Sequence, residues 1–204
     1  MQSFRGLIDL TYDGRTALLI VDMQNDFADP QGSLYVPGGE EVVDFVNAEI
    51  AAAADAGATI VYTQDWHPDS TSHFAKDGGI WPVHCVGGTR GAEFHSGLEV
   101  RDDAMFVKKG TEGEDGYSAF HIRDPETGEV SSTGLADRLR EAGIESVVLV
   151  GLALDYCVKA SAVDAAAEGF DARLLADGTR AVNLSPGDGT RAAAQVAAAG
   201  VQIA

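Results

Sequence analysis

The sequence predicts a three-layer α/β/α sandwich around a mainly parallel sheet. Three observations carry that expectation. Apolar, β-branched runs alternate with segments of helical periodicity from about residue 16 onward. Glycines stand where the helical segments should stop. Side chains with chemistry (carboxylates, a lysine, a thiol, a group of imidazoles) fall at the ends of the predicted strands, where parallel sheets build their sites. A chain of 204 residues suits a single domain, here residues 1–204.

The elements follow in order. "TALLIVDM" (16–23) is a buried strand, and "EEVVDFVNAEIAAAADAG" (40–57) is a helix closed by glycine. "ATIVYTQD" (58–65) is a second strand, followed by a long Gly- and Pro-bearing loop to about residue 103. "AMFVKKG" (104–110) is a third strand, "GLADRLREAG" (134–143) a helix and "ESVVLVGLA" (145–153) a fourth strand. "DYCVKASAVDAAAEG" (155–169) is a helix with Asp155 placed to cap it. "FDARLLAD" (170–177) is a fifth strand, "PGDGTRAAAQVAAAG" (186–200) a helix and "VQIA" a short last strand.

Composition narrows the function classes. Thirty-two acidic and 14 basic side chains give a net charge of −18, which repels phosphate backbones and argues against a nucleic-acid partner. No apolar run approaches the ~20 residues of a membrane helix. The N-terminal "MQSFRGLIDL" lacks the charged head and greasy stretch of a secretory signal, so a soluble cytoplasmic protein is expected. Cys85 and Cys157 are expected to be free thiols.

Cys157 opens a helix just after a strand. Helix amides there favour a thiolate and could also receive an oxyanion; a lone cysteine can equally be a small buried apolar residue. Asp22 ends an apolar strand, where an unpaired charge is costly. It could act on the thiol or hold the adjacent loop, a task for which Asp26 competes. Lys109 beside Asp22 would orient that carboxylate, while Lys108, one residue earlier on a strand, points to the other face.

"TQDWHPDSTSHF" (63–74) supplies Asp65, His67 and His73, and His84 follows. Asp65 and His67 are two apart, so an extended segment aims both the same way. One carboxylate with up to three imidazoles suits Zn²⁺, Fe²⁺ or Mn²⁺ better than Mg²⁺ or Ca²⁺. His95 and His121 lack such companions and read as surface residues. Cys85, next to His84, reads as an inert thiol. Phe27, Trp81 and Tyr156 either stack on a flat ring or pack in the core.

"LLIVDMQNDF" (18–27), "TQDWHPDSTSHF" (63–74), "WPVHCVGGTRGAEFH" (81–95), "VKKG" (107–110), "GYSAF" (116–120) and "VGLALDYCV" (150–158) resemble, in order, the motifs of the nicotinamidase/pyrazinamidase group of isochorismatase-like cysteine hydrolases. The resemblance implies an Asp22–Lys109–Cys157 triad and one divalent transition metal, zinc first, on Asp65, His67 and His73, with His84 beside it as a fourth ligand in some members. It implies Phe27 and Trp81 against a pyridine ring, with Leu152 and Tyr156 as further substrate contacts. A cis Leu152–Ala153 peptide would turn the amides of Ala153 and Cys157 toward an oxyanion. The implied reaction is hydrolysis of nicotinamide, and of pyrazinamide, through a cysteine thioester in NAD salvage. A second lysine in "VKKG" and Tyr156, where histidine is frequent, depart from the pattern; the lysine directly before the glycine takes the triad role. A homo-oligomer stays open. The rival readings are an amidohydrolase of N-carbamoyl or ureido substrates and a non-catalytic ligand-binding module.

Overall fold

The computed structural model describes residues 12–114, 116–125 and 127–204; the N-terminal segment read above for a secretory head lies outside them. Six strands form one sheet in the order β3-β2-β1-β6-β7-β8, with every pairing parallel. They are β1 (Thr16–Val21), β2 (Thr59–Asp65), β3 (Met105–Lys109), β6 (Ser146–Leu152), β7 (Asp171–Arg180) and β8 (Gln202–Ile203). Between them lie β4 (His121–Arg123) and β5 (Val130–Ser132), an antiparallel pair apart from the sheet.

All six residues of the central strand β1 are buried, as both faces of a parallel sheet require. Alternation divides them: Leu18 and Ile20 pack with one core, while Ala17, Leu19 and Val21 pack with the other. The first core is covered by α2 (Val43–Asp55), which buries Val43, Val46, Ile50 and Ala53 at helical spacing. Against the second lie α3 (Leu135–Glu141), α4 (Lys159–Ala167) and α5 (Asp188–Ala198), through Leu135, Leu139, Ala162, Ala165 and Val196. The expected three layers result.

The chain runs outward from β1 to β2 and β3, then returns to pair β6 on the other flank of β1. The carboxyl ends of β1 and β6 therefore flank a topological switch point, where a crevice opens in such sheets. Val21 and Gly151 are paired there. Gly151 has φ +110°, and a Cβ on it would lie 2.1 Å from the Val21 carbonyl oxygen, so glycine is required where the two backbones meet.

Four details depart from expectation. Residues 154–158 form a π turn before α4 begins. Asp155 does not cap that turn: its buried carboxylate accepts the backbone N–H groups of Val182 (2.9 Å) and Asn183 (2.8 Å), tying the turn to the chain beyond β7. β7 runs three residues past the predicted end, through a register shift opposite Leu149–Gly151. A one-turn helix, α1 (Asn25–Ala28), directly after β1 buries Phe27. Among the described residues no helix is long and apolar enough to cross a membrane.

Candidate active site

β1 stops at Val21 and the backbone turns sharply at Asp22, whose φ of +47° is unusual for a residue with a Cβ. The side chain is fully buried and held from two sides. Thr63 Oγ1 donates to Asp22 Oδ1 at 2.6 Å and accepts the Asp22 backbone N–H at 3.1 Å. Lys109 Nζ donates to Asp22 Oδ2 at 2.7 Å. Lys109 is itself wholly buried and also donates to the carbonyls of Gly116 (2.8 Å) and Tyr117 (3.2 Å). Its ammonium stands 2.9 Å from Asp65 Oδ1, an ion pair without the alignment of a hydrogen bond. One ammonium thus spans two carboxylates from neighbouring strands.

Cys157 Sγ completes this group: one oxygen each of Asp22 and Asp65 and the sulfur lie within 4.8 Å of one another. Burial pushes the thiol well above its ordinary range; Lys109 acts the other way, and Asp22 and Asp65 add to the rise. Desolvation outweighs the pull of Lys109, so the thiol holds its proton until a base removes it. Burial also raises the Asp22 carboxyl, against the pull of Lys109. Burial opposes the Lys109 charge too, but Asp22 and Asp65 hold it charged well above the usual lysine range. Burial opposes the Asp65 charge, but Lys109 foremost, with His67, holds its carboxyl far below the usual range.

The other oxygen of Asp65 faces imidazoles. Asp65 Oδ2 lies 3.7 Å from His67 Nε2 and 3.9 Å from His84 Nε2. One nitrogen each from His67, His73 and His84 lie within 4.8 Å of one another. His67 is buried, yet neither ring nitrogen has a hydrogen-bond partner. Such an orphaned pair is costly unless something binds there. Three imidazoles and a carboxylate converging on one point are a fitting donor set for a divalent transition cation. His84 Nδ1 lies 2.8 Å from the Pro82 carbonyl, which leaves Nε2 unprotonated toward the cluster. Burial, with the charge of neighbouring groups, lowers His73 to about 4 and lowers His84, so both are neutral and able to ligate at neutral pH. Gly110, at φ +74°, follows Lys109 against this ring: a Cβ there would meet His67 at 2.6 Å.

Above sulfur and cluster lies a small cleft, with about 330 Å³ of empty space counting the part open to solvent. Phe27, Trp81, Tyr117 and Tyr156 form its aromatic walls, and Ala153, Cys157, His73, His84 and Asp65 reach it. Trp81 and Tyr156 meet edge to face at 4.8 Å, and Trp81 Nε1 donates to Tyr117 Oη at 2.9 Å. The Leu152–Ala153 peptide is cis and immediately precedes the turn that carries Cys157. Leu152 itself is fully buried in the core and does not line the cavity, unlike the substrate contact expected of it.

Several competing assignments are separated by position. Asp26 takes the loop role, accepting the N–H groups of Ser33 (3.1 Å) and Cys85 (2.7 Å), which leaves Asp22 to the thiol. Lys108 projects outward over Trp66, 3.3 Å from its ring centroid. Both cysteines are free, and Cys85 is buried with its thiol pushed well up by burial. His121 lies at the surface between Asp164 and Glu168. Sequence reasoning missed Thr63, Gln24 and Tyr117. For Thr63 the signal was present: it is two residues before Asp65 and shares its strand face.

The chain matches the isochorismatase domain over residues 16–203. It is 36% identical over 203 residues to the nicotinamidase of Escherichia coli (strain K12), covering 92% of this chain and 93% of that one. Among solved structures it resembles the pyrazinamidase of Pyrococcus horikoshii in complex with zinc (TM-score 0.82, 38% identity, 93% of this chain and 98% of that one). It also resembles PnC1 from L. infantum in complex with nicotinate (TM-score 0.85, 38% identity, 96% and 95%). The buried acid–lysine–thiol group at the switch point thus sits in a chain that belongs to the isochorismatase family.

Proposed function

We propose that this protein hydrolyses nicotinamide to nicotinate and ammonia, in NAD salvage, and also accepts pyrazinamide. The observation that carries the reading is one small aromatic cavity lined by Cys157, with Asp22 and Lys109 buried behind the sulfur, and by Asp65, His73 and His84, with His67 behind them. A flat heteroaromatic amide fits it: Phe27, Trp81 and Tyr156 enclose the ring, leaving the carboxamide over the sulfur. Asp65, His67, His73 and His84 would hold one divalent cation, zinc first with iron or manganese as alternatives, and that cation would supply a Lewis acid for the pyridine nitrogen.

Asp22, its carboxyl raised by burial, takes the proton of Cys157 as the sulfur attacks the carboxamide carbon. Lys109 and Thr63 keep the carboxylate aimed throughout. The backbone N–H groups of Ala153 and Cys157 receive the oxyanion; losing one such donor in other enzymes costs about 3 kcal/mol. Asp22 returns the proton to the amide nitrogen, ammonia leaves and a thioester remains. Asp22 then deprotonates water, which releases nicotinate and restores the thiol.

The same reading places the protein in the cytoplasm, with a small molecule rather than nucleic acid or membrane as its partner, and is compatible with a homo-oligomer. Ammonia release from nicotinamide, set against an N-carbamoyl and a ureido substrate, tests it. Turnover of nicotinamide well above both supports the assignment; preference for either of the others transfers it to that substrate class.

A further inference from the structure

The geometry points to Gln24 as the positioning residue that sets Asp65, and through it the cation affinity of the imidazole cluster. This inference rests on the cation site proposed above. β1 pairs with β2 only as far as Ile20↔Tyr62, because the backbone turns away at Asp22. β2 continues to Asp65, whose far neighbour is Lys109 of β3. On the β1 side the peptide groups of Asp65 have lost their strand.

Gln24 fills that gap with its side chain. Its Oε1 accepts the Asp65 backbone N–H at 2.8 Å, and its Nε2 donates to the Asp65 carbonyl at 2.7 Å. The same Nε2 donates to the Ala92 carbonyl at 2.9 Å. A primary amide carries one acceptor and two donors, and all three are used. The residue is fully buried, so water cannot stand in for any of them.

A glutamate would keep the acceptor but set an oxygen against two carbonyls. An asparagine is one methylene short. Gln24 thus extends the β1–β2 ladder by one rung beyond the end of β1. That rung holds the residue whose two oxygens face Lys109 and the imidazoles. The hydrogen bonds of the Gln24 side chain go to the Asp65 and Ala92 backbones, not to Lys109 or the imidazoles.

The test compares wild type, Gln24→Met, Gln24→Glu and His67→Ala, using Zn²⁺ alone as the probe. Affinity is measured by chelator competition and the fold by the melting temperature of the cation-free protein. Gln24→Met and Gln24→Glu should bind Zn²⁺ about 10–100-fold more weakly, the range for residues that orient a metal ligand without touching the metal. Added Zn²⁺ should restore most of their turnover, whereas His67→Ala should not bind stoichiometrically. Unchanged Zn²⁺ affinity in either folded variant, with only the melting temperature lowered, overturns the positioning role. Should Gln24→Met not fold, Gln24→Glu, of the same size, decides alone. Absence of Zn²⁺ binding in wild type instead overturns the cation site, and with it this inference, and is told apart by that arm.

Discussion

The ammonium of Lys109 lies 2.7 Å from Asp22 Oδ2, with both side chains entirely shut away from water. A lysine buried this fully would lose its proton without compensation. Here Asp22 and Asp65 supply it, and Lys109 in turn keeps the two buried carboxylates from repelling each other. Removing it should therefore be a stability event as well as a catalytic one. Lys109→Met should cost about 3–5 kcal/mol in denaturant unfolding, the range for breaking a buried ion pair from one side. A variant as stable as wild type would show that the ammonium is not holding the carboxylates together.

Thr63→Val keeps the shape of the side chain but removes the hydroxyl that donates to Asp22 Oδ1. The carboxylate should lose its aim while the cavity walls and the imidazoles stay in place. A hydrogen bond to a charged group contributes about 1.5–3 kcal/mol, so kcat should fall roughly 10–100-fold with KM little changed. Thr63→Ser should recover most of the loss. Steady-state kinetics on nicotinamide read both parameters.

His67→Ala removes the imidazole whose two nitrogens are buried without partners. The purified variant should fold and carry substoichiometric cation in elemental analysis, while Cys157→Ala carries a full equivalent. Equal cation content in the two would separate the imidazole cluster from cation binding.

The cation-free protein should lose stability as the pH falls from about 6.5 toward 4. His73, ordinarily near 6.5, is lowered to about 4 by burial and neighbouring charge, so the unfolded chain takes up its proton first. His84 is shifted in the same direction. Their contribution is complete above pH 6.5 and lost as the pH passes through the folded value. Bound cation, which competes with those protons, should move the loss to lower pH. Thermal melts across that window, with and without Zn²⁺, measure both effects.

Much of the site was legible because its residues obey simple periodicities. Strand alternation separates Lys109, buried beside Asp22, from Lys108, stacked outward on Trp66. The same rule aims Asp65 and His67 together. The assignments that failed depend on where the chain goes after a strand ends. Asp155 reads locally as a helix cap, yet its partners are Val182 and Asn183, 27 and 28 residues away. Gln24 looks like an ordinary polar loop residue until Asp65 is brought against it from 41 positions along. The strands β4 and β5 carry three residues each, too few for any alternation to register, and those of β5 are all exposed.

In the proposed reaction Cys157 carries the acyl group of the substrate. Acid quenching of the protein during nicotinamide turnover, followed by peptide mass spectrometry, tests it most directly. A nicotinoyl adduct is expected on the peptide containing Cys157, absent from Cys157→Ala, whose ammonia release should fall roughly 10⁴-fold or more. Wild-type turnover by Cys157→Ala, or an adduct on Cys85 instead, would contradict it.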